Sequence, residues 1–129
     1  MVDLTFFHPD YEPIEILGRG GMGTVYSALD SKLQRKVAVK HLHSAYPIQE
    51  VAALLQQEAR TGARLSHPGI ATIFGFEVHE GHAFLIMELV EGRTLADHSS
   101  ERKFDVSETI DLIGQIADAL EHAHYQGEA

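Results

Sequence analysis

The chain contains no cysteine, which removes disulfide staples, thiolate nucleophiles and sulfur-ligated metals in one stroke. Basic residues are scarce. Ten Lys and Arg stand against 19 Asp and Glu, for a net charge of −9 with histidine neutral. That balance argues against nonspecific nucleic-acid binding and against an anionic membrane surface. No apolar run approaches the ~18 residues a transmembrane helix needs, so no membrane segment is expected. The opening MVDLTFFHPD lacks a basic stretch followed by a long apolar run, so no signal peptide is visible and a cytoplasmic location is expected. Internal repeats and low-complexity tracts are absent. The remainder is ordinary: 44% hydrophobic residues over 129 positions suffice for one modest domain with a core.

The informative stretch runs from Leu17 to Lys40. Gly18, Gly20 and Gly23 fall at G-x-G-x-x-G spacing, and Val25 extends it to G-x-G-x-x-G-x-V. Val37-Ala38-Val39-Lys40 follows. Glycines remove Cβ atoms, so the backbone can approach phosphate oxygens and aim N–H groups at them. A lysine beside such a loop neutralises polyphosphate charge. Two rival phosphate loops fail here. A dinucleotide-binding fingerprint needs the glycines to open a helix, but Thr24-Val25-Tyr26-Ser27 reads as strand. A Walker A loop ends in Gly-Lys-Ser/Thr, whereas Gly23 is followed directly by Thr24.

Three strands are expected at about 11–18, 24–29 and 36–41, with Ile14 and Ile16 sharing a face and Leu17 pointing the other way. Alternation puts Ala38 and Lys40 on one face, the small residue leaving room for a flat ring and the long one reaching toward phosphates. Pro47 suits the first turn of a helix, and Val51, Leu54, Leu55, Ala59, Gly62 and Leu65 continue at helical period. Glu58 lies on that stripe. Ser66-His67-Pro68-Gly69 ends it. Residues 70–79 and 83–88 read as two more strands, joined at Glu80-Gly81-His82. Asp105 and Glu108 form a capping-box pattern before Ile110, Ile113, Ile116, Ala117 and Leu120, with Gly127 as a stop signal. The nine histidines are scattered and the acids dispersed, so neither a histidine metal site nor a carboxylate catalytic pair is expected; the histidines read as surface residues.

A strand–glycine loop–strand–turn–strand unit ending in V-A-V-K resembles the ATP-binding hairpin of the eukaryotic-type protein kinases. Gly-Arg-Gly-Gly-Met-Gly-Thr-Val-Tyr resembles bacterial serine/threonine kinases in particular. The resemblance covers about Tyr11 to Gly127. It implies an α+β fold: a kinase-like N-lobe of five antiparallel strands plus the family's helix αC, followed by the first helices, αD and αE, of a C-lobe. The implied division is a lead-in at 1–10, N-lobe and hinge at 11–90, and the start of the C-lobe at 91–129. By resemblance, Lys40 and Glu58 form an ion pair that positions ATP. Leu17, Gly18, Arg19, Gly20, Gly21, Met22, Gly23, Thr24, Val25, Ala38, Met87, Glu88 and Val90 join Lys40 around the nucleotide, Met87 as gatekeeper and Glu88 to Val90 as hinge. Thr94 or Asp97 is a weaker candidate for the ribose.

The sequence ends before the family's catalytic loop, its Mg²⁺-holding asparagine and its D-F-G aspartate. The expectation is therefore the ATP-binding portion of a protein serine/threonine kinase, truncated and inactive alone. It would use ATP, with Mg²⁺ and a protein substrate held only by the complete domain, and the uncovered αE stripe would promote self-association. The alternative is a non-catalytic kinase-like nucleotide-binding or scaffold module.

Overall fold

The structure, a computed structural model, describes residues 4–21, 23–43 and 48–127. Met22 of the glycine loop and Pro47 lie outside the described residues. Five strands form one sheet: β1 (Tyr11–Arg19), β2 (Gly23–Asp30), β3 (Arg35–Leu42), β4 (Ile73–His79) and β5 (His82–Glu88). Their spatial order is β1-β2-β3-β5-β4, and every neighbouring pair is antiparallel. Helix α1 (Ile48–Ala63) separates β3 from β4, and α2 (Leu95–Glu101) and α3 (Val106–Gly127) follow the sheet.

Local chemistry sets the connections. The β2–β3 turn is fastened by Asp30, whose Oδ1 accepts from the Lys32 and Leu33 N–H groups at 3.1 and 3.2 Å. The β4–β5 hairpin turns on Glu80 and Gly81, both with positive φ (48° and 82°), flanked by the pair His79–His82. Two consecutive left-handed residues are what a tight hairpin matching the twist of its strands requires. At the start of α3, Glu108 N–H donates to Asp105 Oδ1 at 2.8 Å and Asp105 N–H donates back to Glu108 Oε1 at 3.3 Å, the reciprocal box expected from the sequence.

The sheet has a core on each face. One contains Tyr26, Ala28, Val37, Val39, Phe84 and Ile86, closed by Phe7. The other contains Leu42, Ala83 and Leu85 against Ala59 of α1, with Ile73, Phe76 and Met87 packed beside them. Helix α1 approaches β4 closely at Gly62, where a Cβ would collide with the Ile73 side chain.

Four expectations need correction. Residues 1–10 are more than a lead-in: among the described ones Phe7 is 7% exposed inside the first core, and the Phe6 ring lies 4.4 Å from the His41 ring. Ile14 and Leu17, expected to point to opposite faces, line the same cleft, because β1 carries irregularities between Pro13 and Glu15 and between Ile16 and Gly18. Such bulges reset the two-residue alternation. Leu54 is exposed, and among the described side chains of α1 it is Ala59 and the close approach at Gly62 that meet the sheet. The histidines are not all surface residues, since His41 is buried and the His8 and His67 side chains are nearly so.

Helix α3 turns Leu112, Ala119 and His122 partly inward. His67 fastens the α1–β4 link to it: Nδ1 accepts from Gly69 N–H at 2.9 Å, which leaves the ring proton on Nε2 to meet Asp118 Oδ2 at 2.9 Å. The opposite stripe of α3, Ile110, Ile113, Ile116 and Leu120, is exposed.

Candidate functional site

The glycine hairpin joins β1 to β2. Gly20 N–H donates to Gly23 C=O at 2.9 Å, and the register runs Arg19–Thr24, Gly18–Val25. The glycines differ in what they do. A Cβ on Gly23 would strike the His41 carbonyl oxygen and lie 3.2 Å from Leu42 Cα, so Gly23 is needed for β2 to lie against β3. At Gly18, Gly20 and Gly21 a Cβ would meet no atom of the described residues within 4 Å, and none of the three has a left-handed φ. Neither packing nor backbone conformation demands glycine at those three positions.

Strand β3 sets the floor. Ala38 pairs with Ser27 on one side and Met87 on the other, and Lys40 pairs with Val25 and Leu85. Ala38, Lys40, Val25, Ser27 and Met87 therefore share the sheet face that α1 also covers. Ala38 is buried, while Lys40, Val25 and Met87 are half-buried. Thr24 Oγ1 is held by His43 Nε2 at 2.9 Å at the root of the loop.

At the end of β5 the chain is pinned by Glu88: its N–H donates to Thr72 C=O at 2.8 Å, and its Oε1 accepts from Thr72 N–H at 2.9 Å. Beyond it Val90 is exposed. Gly92, at φ 131°, lets the chain turn toward α2. A cleft of about 250 Å³ opens here, lined by Leu17, Ser27, Lys36, Leu89 and Val90 among others. It brings Leu17 and Val90 together.

Lys40 and Glu58 are not brought together. No ion pair joins them among the described residues, and Glu58 is exposed. The rotation that buries Ala59 against the sheet turns its neighbour Glu58 about 100° away. Thr94 caps α2, its Oγ1 accepting from Asp97 N–H at 3.0 Å.

Sequence reasoning missed a polar cluster where the lead-in meets β4. His8, Asp10 and Glu77 each place one potential ligand atom within 4.8 Å of the others. One hydrogen bond and a longer charge contact join the three. Asp10 N–H donates to His8 Nδ1 at 3.1 Å, so a neutral ring carries its proton on Nε2, the nitrogen 3.7 Å from Glu77 Oε2. Lys32 Nζ, 3.0 Å away, holds the Asp10 carboxyl below its usual pKa. Burial, then Glu77, pushes the Tyr11 phenol well above its ordinary value. A second buried polar pair lies near the glycine hairpin. His41 Nε2 is 2.9 Å from His82 Nδ1, and burial, with smaller contributions from His82 and His43, pushes His41 down to about 4.

A five-stranded antiparallel sheet with one helix on it, a glycine-rich β1–β2 hairpin and a lysine on β3 define a protein-kinase N-lobe. The protein kinase domain family model matches residues 11–128. The chain is 36% identical over 124 residues to a probable serine/threonine-protein kinase PknB of Lactococcus lactis, covering 94% of this chain and 20% of that protein. It is 33% identical over 116 residues to the serine/threonine-protein kinase PrkC of Bacillus subtilis, covering 88% and 18%. The crystal structure of the Mycobacterium tuberculosis PknI kinase domain superposes with a TM-score of 0.75 at 27% identity, over 92% of this chain and 49% of that one. The chain belongs to the protein kinase domain family. It spans about half of that solved kinase domain and about a fifth of those two curated relatives.

Proposed function

We propose that this chain is the ATP-binding portion of a protein serine/threonine kinase. In the complete domain it would present the γ-phosphate to a protein serine or threonine hydroxyl. The observation that carries this is the open space at Gly18, Gly20 and Gly21, three positions within four residues that lack side chains although nothing among the described residues excludes them. Missing Cβ atoms over a cleft let backbone N–H groups reach phosphate oxygens. Lys40 lies on the cleft face, two residues from Ala38, so one strand offers a phosphate counter-charge and a flat seat for adenine. Leu17, Val25 and Met87 enclose the ring, and the Glu88 carbonyl and Val90 amide meet its edge. Arg19, Met22 and Thr24 belong to the loop over the phosphates.

Glu58 takes its place beside Lys40 when nucleotide is bound, which requires α1 to turn or shift relative to β3. Mg²⁺ would supply charge neutralisation in the complete domain. This chain contains no match to the family's metal-holding asparagine or D-F-G aspartate, and its own residues do no more than bind and orient the nucleotide. The isolated chain is therefore inactive in phosphotransfer.

Amide chemical shifts followed during an ATP titration test the assignment. Shifts concentrated at residues 17–25, 38–40 and 87–90 are expected. A titration that leaves those amides unmoved while the sheet stays folded would favour a kinase-derived scaffold that binds no nucleotide.

A further inference from the structure

Ser27 lies in the middle of β2, paired with Glu15 of β1 and Ala38 of β3. It is 5% exposed, and its Oγ is fully buried with no hydrogen-bond partner among the described residues. It also lines the cleft of about 250 Å³ beside the hinge, between Leu17 on β1 and Leu89 and Val90. Leaving a buried hydroxyl unpaired is costly, and folded proteins tolerate few of them. Ile14, Leu17, Leu89 and Val90 supply its apolar wall, and the charges of Glu15, Lys36 and Glu91 lie on exposed side chains. A buried hydroxyl set beside apolar side chains fixes how a flat ligand sits against them.

We infer that Ser27 is a specificity-determining residue of the nucleotide cleft, its hydroxyl hydrogen-bonding a polar atom of the heteroaromatic base. This rests on the proposed ATP-binding role and adds a contact to it. The ligand class is a purine nucleotide whose base places a hydrogen-bonding atom against β2 beside Ala38. Alanine at this position would give a wall that holds the ring by area alone, and a ligand without a base would not register the change. Ser27 acts on recognition and takes no part in moving the phosphoryl group.

The test compares ATP with inorganic tripolyphosphate on the wild-type chain, Ser27→Ala and Ser27→Thr. Ser27→Ala is expected to weaken ATP about five- to tenfold, the loss of one hydrogen bond, and Ser27→Thr, which keeps the hydroxyl, to stay within about twofold. Tripolyphosphate affinity should be the same in all three. The melting temperature of ligand-free Ser27→Ala should be unchanged or raised, because the substitution removes an unsatisfied buried group. ATP binding to Ser27→Ala as tight as to wild type overturns the role of Ser27 and leaves the nucleotide site standing. A parallel loss of ATP and tripolyphosphate, or a lowered melting temperature, assigns Ser27 to structure and also overturns it. Failure of the wild-type chain to bind ATP overturns both readings.

Discussion

Three alanine substitutions in one loop should have opposite effects on stability and on binding. In Gly23→Ala the new methyl points at the His41 carbonyl and at Leu42 Cα, both backbone atoms of β3. No side chain can rotate to relieve the clash, so β2 must shift against β3 along a register that runs from Gly23–Leu42 to Asp30–Arg35. Overpacking of this kind costs about 2–3 kcal/mol. In a domain of this size that corresponds to a melting temperature lower by about 8–12 °C. Gly18→Ala and Gly20→Ala meet nothing among the described residues within 4 Å and need no left-handed backbone. Each should change stability by less than about 1 kcal/mol, with a bias toward gain because alanine restricts the unfolded chain. Under the proposed ATP site their cost falls on the ligand, since a methyl would stand where a phosphate oxygen is proposed to approach; a loss of about tenfold in ATP affinity is expected, on the order of 1.4 kcal/mol. Thermal unfolding by circular dichroism and ATP titration of the same preparations give both quantities. Gly20→Ala destabilising as much as Gly23→Ala would refute the division into a structural glycine and ligand glycines. So would Gly18→Ala and Gly20→Ala both binding ATP like wild type.

Other perturbations probe the frame that holds the site. Phe7→Ala should cost about 3 kcal/mol, because the ring is 7% exposed in a core with Tyr26 and Phe84; a urea midpoint within error of wild type would show that the N-terminal segment does not close the sheet. His41 makes stability fall with acid. Its folded pKa is lowered to about 4 from 6.5, so below pH 6.5 the unfolded chain takes a proton that the folded chain refuses. The contribution is complete above about pH 6.5 and is lost as pH falls toward 4, by about 2 kcal/mol at pH 5. His41→Asn should flatten the stability–pH curve over that range, and an unchanged slope would contradict the assignment. Because Gly62 admits α1 to the Ile73 side chain, Gly62→Val should loosen the helix from β4 and cost about 1–3 kcal/mol, read by denaturant unfolding.

The fold was legible wherever local chemistry and global position agree. Strand periods, the Glu80-Gly81 turn and the Asp105–Glu108 box depend on neighbours in sequence, and the structure places them where the pattern puts them. That Ala38 and Lys40 share one face follows from alternation along one strand. What escaped depends on partners distant in sequence. Phe7 reads as part of a tail until the sheet supplies Phe84 and Val39 to cover. The bulges in β1 leave no mark in a stretch whose alternation looks regular. Glu58 was expected beside Lys40 because helical period gives the stripe without the rotation that places Ala59 inward and Glu58 outward. Ser27 had no signal at all, because a serine in a strand is unremarkable until its hydroxyl is found buried without a partner among the described residues.

The most direct test of the central claim is calorimetric titration of ATP into the purified chain, with Lys40→Met in parallel. A saturable, weak ATP isotherm that is reduced at least about tenfold in Lys40→Met, with an unchanged circular dichroism spectrum, is the predicted result. No saturable heat with a folded sheet, or equal affinity in the two proteins, would contradict a nucleotide held between the glycine hairpin and β3.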